Sequence, residues 1–171
     1  MTDQPTLEDI VQLLSHELLR RGWMLATAES CTGGMIAAAC TDLAGSSAWF
    51  DRGFVTYSNA AKTDMLDVPA DLIAAHGAVS APVAHAMCAG ALARSNAQVA
   101  LSVTGIAGPS GGSPDKPVGT VWFGWAIGEQ IQTACIRWPG DRQAVRAHTM
   151  RHALQQLSQF IASSATQHHK P

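Results

Sequence analysis

Hydrophobic side chains near the start of the chain recur at intervals of three or four residues, which predicts an amphipathic helix. The helix is expected to begin at Thr6, because Thr6 and Asp9 have the spacing of a capping box. It is expected to end near Arg21, where Gly22 can take the left-handed conformation that terminates helices. The apolar positions of this helix are Leu7, Ile10, Val11, Leu14 and Leu18.

After this helix, short apolar runs alternate with longer segments of helical character. Strands are predicted at residues 24–28, 54–57, 98–104, 119–127 and 130–138, the last two forming a hairpin. Helices are predicted at residues 33–42, 58–65, 70–75, 80–95 and 141–161. Helices that alternate with strands predict an α/β fold, with a mixed sheet covered by helices on both faces.

The whole chain, residues 1–171, is predicted to be a single domain. Its length suits one hydrophobic core, and neither an internal repeat nor a linker interrupts the pattern. The core is expected at residues 6–161, and the tail at residues 163–171 is expected to be flexible.

Charge narrows the classes of partner. The net charge of −2 and the lack of a basic stretch argue against a nucleic-acid partner. No apolar run approaches the roughly 20 residues of a membrane span, and the first residues do not resemble a signal peptide. The charged fraction of 14%, against about 25% in typical proteins, favours a homo-oligomer, with a dimer preferred, although abundant alanine and glutamine explain the same low fraction.

The four cysteines are scattered, without a CxxC pair or the spacing of metal ligands. They predict reduced thiols in a cytoplasmic protein and no metal site. They are Cys31, Cys40, Cys88 and Cys135.

Three predicted strands end in polar or glycine-rich segments, at residues 29–34, 57–62 and 104–112. Ligands in α/β sheets bind beyond the carboxyl ends of strands. These three segments are therefore expected to converge on one site.

Ser30 is the first candidate for chemistry, because a strand, a sharp turn and a helix would place its hydroxyl at a helix amino terminus. The N–H groups of Thr32, Gly33 or Gly34 would then stabilise a developing oxyanion. Taken alone, the segment is also typical of a simple helix cap, and it is not the G-x-S-x-G elbow of the α/β-hydrolases.

Lys62 is the candidate base for Ser30. It lies one turn after Ser58 on the same predicted helix, close to Tyr57, which would hold the lysine or pass a proton. A solvated surface lysine and a half-buried tyrosine explain the same pattern. Ser58 is interpreted as a helix cap, because its spacing from Lys62 is not the S-x-x-K of penicillin-recognising enzymes.

Cys31 is the rival nucleophile, because a cysteine at a helix amino terminus can have a lowered pKa. Adjacent residues that leave a strand point in different directions, so Cys31 and Ser30 cannot both face one pocket. No histidine is evidently placed to activate the thiol, since the histidines lie on predicted helices, at their ends or in the tail.

The segment from Thr104 to Gly112 is rich in glycine, and successive N–H groups of such turns can bind phosphate. It matches neither the ATP-binding nor the dinucleotide-binding fingerprint, and a flexible connection is the alternative. Arg142 and Arg146 lie one turn apart in the last helix and would pair with an anionic substrate or with surface carboxylates. Arg142 is preferred, because it follows the turn at residues 139–141.

Taken together, these segments resemble the CinA carboxy-terminal domain family, whose characterised members are nicotinamide mononucleotide deamidases. The likeness covers residues 6–161, and an ordered set of motifs is far more specific than any one of them. The matching stretches are AESCTGG at 28–34, GFVTYSN at 53–59 with Ala61 and Lys62, HGAVS at 76–80, VTGIAGP at 103–109, GG at 111–112 and KPVGTV at 116–121.

The resemblance implies a three-layer α/β/α sandwich and a catalytic set of Ser30, Tyr57 and Lys62. It implies deamidation of nicotinamide mononucleotide to nicotinic acid mononucleotide and ammonia, without a metal or cofactor, in pyridine-nucleotide recycling. It also places Arg142 near the phosphate. A nucleotide-binding interaction module without turnover, or an amidase for another small carboxamide, are the alternatives. The residues implied to line the nucleotide site are Thr104, Gly105, Gly108, Gly111 and Gly112.

Overall fold

The computed structural model describes residues 4–164 and contains a five-stranded sheet with helices on both faces. No helix in this range is long and apolar enough to cross a membrane. The elements in chain order are α1 (Leu7–Arg21), β1 (Leu25–Glu29), α2 (Met35–Thr41), a short 3-10 helix (Ser46–Ala48), β2 (Phe50–Val55), α3 (Asn59–Leu66), α4 (Ala70–His76), α5 (Ala81–Ala93), β3 (Val99–Gly105), β4 (Thr120–Ile127), β5 (Gln130–Arg137) and α6 (Arg142–Ser164).

The sheet has the strand order β2-β1-β3-β4-β5. Strands β1, β2 and β3 are parallel, whereas β4 and β5 run antiparallel as the predicted hairpin. Helices α1, α2 and α6 pack on one face, and α3, α4 and α5 pack on the other. This arrangement confirms the predicted mixed sheet in a three-layer α/β/α fold.

The ends of α1 are as predicted. Thr6 and Asp9 form a reciprocal capping box, and Gly22 closes the helix with a φ of 64°. At the other end of the chain, the predicted start of the flexible tail at residue 163 was wrong by two residues. Ser163 and Ser164 belong to the last turn of α6. The rest of the predicted tail, residues 165–171, lies outside the described residues.

The bounds of β2 also differ from the prediction. The strand begins at Phe50, earlier than expected, and Thr56 and Tyr57 follow it instead of lying within it. The register explains this shift, because β2 pairs along the whole of β1, from Leu25 with Phe50 to Glu29 with Val55. The carbonyl of Glu29 accepts a last bond of 2.8 Å from the N–H of Thr56, and the chain leaves the sheet after that residue.

Small residues form the face of the sheet beneath α5. The hydroxyl of Ser102 donates a hydrogen bond of 2.7 Å to the carbonyl of Ala84 in α5. A methyl group at Gly124 would come within 2.5 Å of the Ser102 hydroxyl and 2.9 Å of that carbonyl. This close packing holds α5 against the sheet, and the residues just before α5 lie at the candidate site described below. The other small residues of this face are Ala26, Ala28, Ala100 and Ala126.

Candidate active site

Ser30 lies immediately after β1, the strand between β2 and β3. Its N–H donates to the carbonyl of Val103 in β3, and its own carbonyl accepts a bond of 3.0 Å from the N–H of Gly33. Gly33 and Gly34 have φ values of 59° and 103°, which glycine adopts without strain. The chain therefore turns sharply after Ser30 before α2 begins.

Lys62 approaches Ser30 from the other side. The hydroxyl of Ser58 caps α3 as predicted, accepting a bond of 3.0 Å from the N–H of Ala61. The Lys62 side chain runs inward and is 2% exposed. Its Nζ donates to the Ser30 hydroxyl at 3.0 Å and to the Thr56 carbonyl at 2.9 Å. The predicted pair of nucleophile and base is thus within hydrogen-bonding distance.

The surroundings of Lys62 favour its neutral amine. Burial lowers the pKa of Lys62 from its ordinary value, because a charged ammonium loses its hydration. Within residues 4–164 no carboxylate forms an ion pair with this amine. A neutral amine can accept the proton of the Ser30 hydroxyl, which is the step that a general base performs.

The three predicted strand ends meet at one cavity of about 270 Å³. Its walls include Cys31, which the sequence suggested only as a rival nucleophile, and Asn59, Val79 and Ala107, to which it gave no role. Ala78 is held there because its carbonyl accepts a bond of 2.9 Å from the Thr104 hydroxyl. The candidate residues brought together at the cavity are Ser30, Tyr57, Lys62, Thr104, Gly105 and Arg142.

A larger concavity of about 820 Å³ lies at the opposite end of the sheet. Its lining is mostly apolar, with Gln98 and Glu129 among the polar exceptions. It contains no pairing of nucleophile and base, so the chemistry points to the smaller cavity around Ser30. Within the described residues, no group of three or more histidine, cysteine or acidic side chains could hold a metal ion.

Tyr57 lines the cavity but makes a different contact from the one expected. Its side chain is 62% exposed, and its hydroxyl accepts a bond of 3.0 Å from Arg142. Arg142 also donates to the carbonyl of Gly108 at 3.0 Å. The contact that orients Lys62, which the sequence assigned to Tyr57, is made by the main-chain carbonyl of Thr56.

The start of α2 is occupied by a carboxylate. Glu29 is almost fully buried, and its side chain accepts bonds from the N–H groups of Ile36 and Ala37 at 2.9 and 3.0 Å. The Thr32 hydroxyl donates a third bond, at 2.6 Å. A carboxylate at this position satisfies free N–H groups and suits the helix dipole. The sequence pattern gave no indication of this role for Glu29.

These contacts correct the predicted oxyanion donors. The N–H of Gly33 is bonded to the Ser30 carbonyl, and Thr32, Gly33 and Gly34 do not line the cavity. Cys31 does line it, and among residues 4–164 its N–H makes no hydrogen bond to another residue. The N–H that follows a nucleophile is a common oxyanion donor in hydrolases.

Replacing Glu29 by glutamine should destabilise the protein by about 1–3 kcal/mol, because the amide cannot accept all three buried hydrogen bonds. Urea denaturation would measure the change in the free energy of unfolding. Glu129→Gln, at an exposed position, is the matched control and should leave stability unchanged. Equal stabilities of the two variants would contradict this role for Glu29.

Cys31 is poorly suited to be the nucleophile. Burial raises the pKa of its thiol to about 11, so the thiol stays protonated at neutral pH. The Cys31 pKa therefore moves in the opposite direction from that of an activated cysteine.

The glycine-rich loop after β3 is held in place by hydrogen bonds. The N–H of Gly119 bonds to the Ile106 carbonyl at 2.7 Å, and the Lys116 ammonium bonds to the carbonyl of His76 at 2.7 Å. Gly111 and Gly112, implied to line the nucleotide site, lie outside the walls of the cavity. A methyl group at Gly112 would come within 2.8 Å of the Val118 nitrogen, so this glycine permits close packing. Gly108 also lies outside the walls and reaches the site through the bond to Arg142.

A family model described as the CinA C-terminal domain matches residues 7–161 of this chain. The chain belongs to this family. It is 56% identical over 157 residues to the nicotinamide-nucleotide amidohydrolase PncC of Enterobacter agglomerans, covering 91% of this chain and 96% of that protein. It is 51% identical over 167 residues to the protein of the same name from Escherichia coli strain K12, covering 96% of this chain and all of the other.

Solved structures of the CinA superfamily have the same fold. A crystal structure of a competence-damaged protein (CinA) superfamily protein from Escherichia coli gives a TM-score of 0.90 at 39% identity. The superposition covers 94% of this chain and 93% of that one. The arrangement of β1, α3 and α6 around Ser30 is thus set in a fold shared by CinA proteins.

Proposed function

We propose that this CinA-family chain hydrolyses the carboxamide of nicotinamide mononucleotide, with Ser30 as nucleophile and Lys62 as base. The observation that carries the proposal is the distance of 3.0 Å between the Ser30 hydroxyl and a buried lysine amine whose pKa is lowered. The names of the relatives, nicotinamide-nucleotide amidohydrolases, support this choice of substrate.

In the acylation step, neutral Lys62 takes the proton of the Ser30 hydroxyl while the serine oxygen bonds to the carboxamide carbon. The carbonyl oxygen becomes an oxyanion, and the N–H of Cys31 is proposed as its donor, since Cys31 lines the cavity beside Ser30. The lysine then gives its proton to the amide nitrogen. The carbon–nitrogen bond breaks, ammonia leaves, and an ester of Ser30 remains.

In the second step, water attacks the ester while Lys62 takes a proton from it. The ester bond breaks, and the lysine returns that proton to the serine oxygen. Nicotinic acid mononucleotide is released, and Ser30 and Lys62 regain their starting states. Each turnover thus consumes one water and produces one ammonia.

Arg142 is the proposed partner of the substrate phosphate. It and Lys62 are the basic side chains among the described residues that line the cavity, and none of these lining residues is acidic. Lys62 faces Ser30, whereas Arg142 bonds to Tyr57 and Gly108. An arginine guanidinium can bind a phosphate through two parallel N–H···O hydrogen bonds. In this proposal Tyr57 holds the guanidinium toward the substrate.

Arg142→Ala should raise KM for nicotinamide mononucleotide about 10- to 100-fold, the loss expected for a hydrogen bond to a charged group. The constants for nicotinamide riboside, which lacks the phosphate, should change little. Steady-state kinetics with both substrates measure the difference. Arg137→Ala, an exposed arginine outside the cavity, is the control. An equal effect of Arg142→Ala on both substrates would exclude a phosphate contact.

Ammonia release from nicotinamide mononucleotide by the purified protein tests the function itself. Release that requires Ser30 supports the deamidase. Binding of the nucleotide without release would instead indicate a nucleotide-binding module, and turnover of other carboxamides alone would indicate a different amidase. The last two results would overturn the proposal.

We also propose that the protein works in the cytoplasm as a homo-oligomer. All four cysteines are free in the structure, as expected for a reducing compartment. The low charged fraction of 14% supports association between copies. Light scattering coupled to size-exclusion chromatography would give the subunit number, and a monomer would contradict the association.

A further inference from the structure

Arg146 binds the turn that carries Ser30. It lies on α6, one helical turn after Arg142, and is half-buried. Its Nε donates to the carbonyl of Cys31 at 3.0 Å, and its Nη2 donates to the carbonyl of Thr32 at 3.2 Å. One guanidinium therefore holds two successive carbonyls of the turn, as a planar fork of donors can.

The contacts fix the orientation of the peptide groups around Ser30. In a trans peptide the carbonyl and the following N–H point in opposite directions. The bond from Arg146 to the Cys31 carbonyl therefore sets where the N–H of Thr32 points. The bond from the Gly33 N–H to the Ser30 carbonyl sets the direction of the Cys31 N–H in the same way.

The positive charge of Arg146 also makes the N–H groups of the turn stronger hydrogen-bond donors. A positive charge on a carbonyl polarises its peptide group, and hydrogen bonds in series strengthen one another. Arg146 lies behind the turn and is not among the residues that line the cavity. Its hydrogen bonds therefore reach the site only by way of the turn that it holds.

We propose that Arg146 is a positioning residue for the reaction, and that α6 supplies two arginines with separate tasks. Arg142 faces the substrate, and Arg146 keeps the Ser30–Gly33 turn in the geometry that attack requires. This inference rests on the proposed deamidase function. It predicts that the two arginines affect different kinetic constants.

Arg146→Ala is expected to lower kcat about 100-fold with KM unchanged, the loss that a misplacement of about 1 Å can cause. Arg142→Ala should instead act on KM. Arg146→Lys, which keeps the charge without the fork, should fall between wild type and Arg146→Ala. Millimolar guanidinium chloride should restore part of the kcat of Arg146→Ala, because the free cation can occupy the vacated place.

The matched control is Arg151→Ala, on the same helix, where the side chain bonds to the Pro5 carbonyl and does not line the cavity. This variant should keep wild-type constants and should gain nothing from guanidinium. Melting temperatures are measured for every variant. A kcat of Arg146→Ala that equals wild type, or a loss that guanidinium and lysine both fail to restore, would overturn the inference.

Labelling of Ser30 by a fluorophosphonate separates this inference from the proposed function. The serine oxygen bonds to phosphorus and fluoride leaves, so no nucleotide is needed. If wild type is labelled but releases no ammonia, the proposed function is wrong. In that case, slower labelling of Arg146→Ala than of wild type would still support the positioning role. Equal labelling rates of wild type and Arg146→Ala would refute it, and a wild type without either reaction would refute both.

Discussion

Ser30→Ala is expected to reduce ammonia release from nicotinamide mononucleotide by at least about 10⁴-fold, because Ser30 carries the acyl group in the proposed mechanism. The variant loses one hydrogen bond to Lys62 and should keep its fold. Initial rates of ammonia release and the melting temperature would be measured together.

Cys31→Ala is the control for this experiment, since it removes the neighbouring nucleophile. Its thiol has a raised pKa of about 11, so its loss should leave most of the activity. If Cys31→Ala is inactive and Ser30→Ala keeps wild-type rates, the assignment of the nucleophile is wrong.

Lys62→Met should lower kcat about 10²- to 10⁴-fold through loss of the general base. The same change should not lower the melting temperature, because methionine fills the buried space without the cost of burying an amine. Arg137→Met, a change at an exposed basic side chain outside the cavity, is the control and should remain active. An inactive Lys62→Met that is also strongly destabilised would argue for a structural role.

The pH dependence of activity and of stability provides a second test of the role of Lys62. The base works when neutral, so kcat/KM should rise with pH, with a midpoint below the ordinary lysine pKa of 10.5. Because the pKa is lowered in the folded state, the unfolded state binds the extra proton between the folded pKa and 10.5. The free energy of unfolding of wild type should therefore rise with pH across that interval, and Lys62→Met should lack this rise.

The sequence could predict where the candidate site lies, because the candidate residues follow the ends of strands. Short apolar runs identified β1, β3 and the hairpin, and parallel strands bring their carboxyl ends to one edge of the sheet. The proximity of Ser30 and Lys62 could therefore be predicted from the sequence. The cap at Ser58 added the helix that presents Lys62.

The contacts that support the candidate site could not be predicted from the sequence, because they involve main-chain groups or distant parts of the chain. The carbonyl of Thr56 that holds Lys62 has no signature in residue type. Glu29 was recognised as part of a motif, but its role depends on where the first turn of α2 points. The start of β2 at Phe50 follows from its register with β1. The residue pattern of one strand does not reveal its register with another strand.

The contact between Arg146 and Cys31 has a consequence for protein synthesis, because the two residues are 115 positions apart in the chain. A ribosome that has completed β1 must still make most of the sheet before α6 exists. Contacts of such sequence separation form late and slow folding. A nascent chain that lacks α6 therefore carries Ser30 without this contact, so competence for hydrolysis should appear abruptly once α6 has been made and not in proportion to the length synthesised.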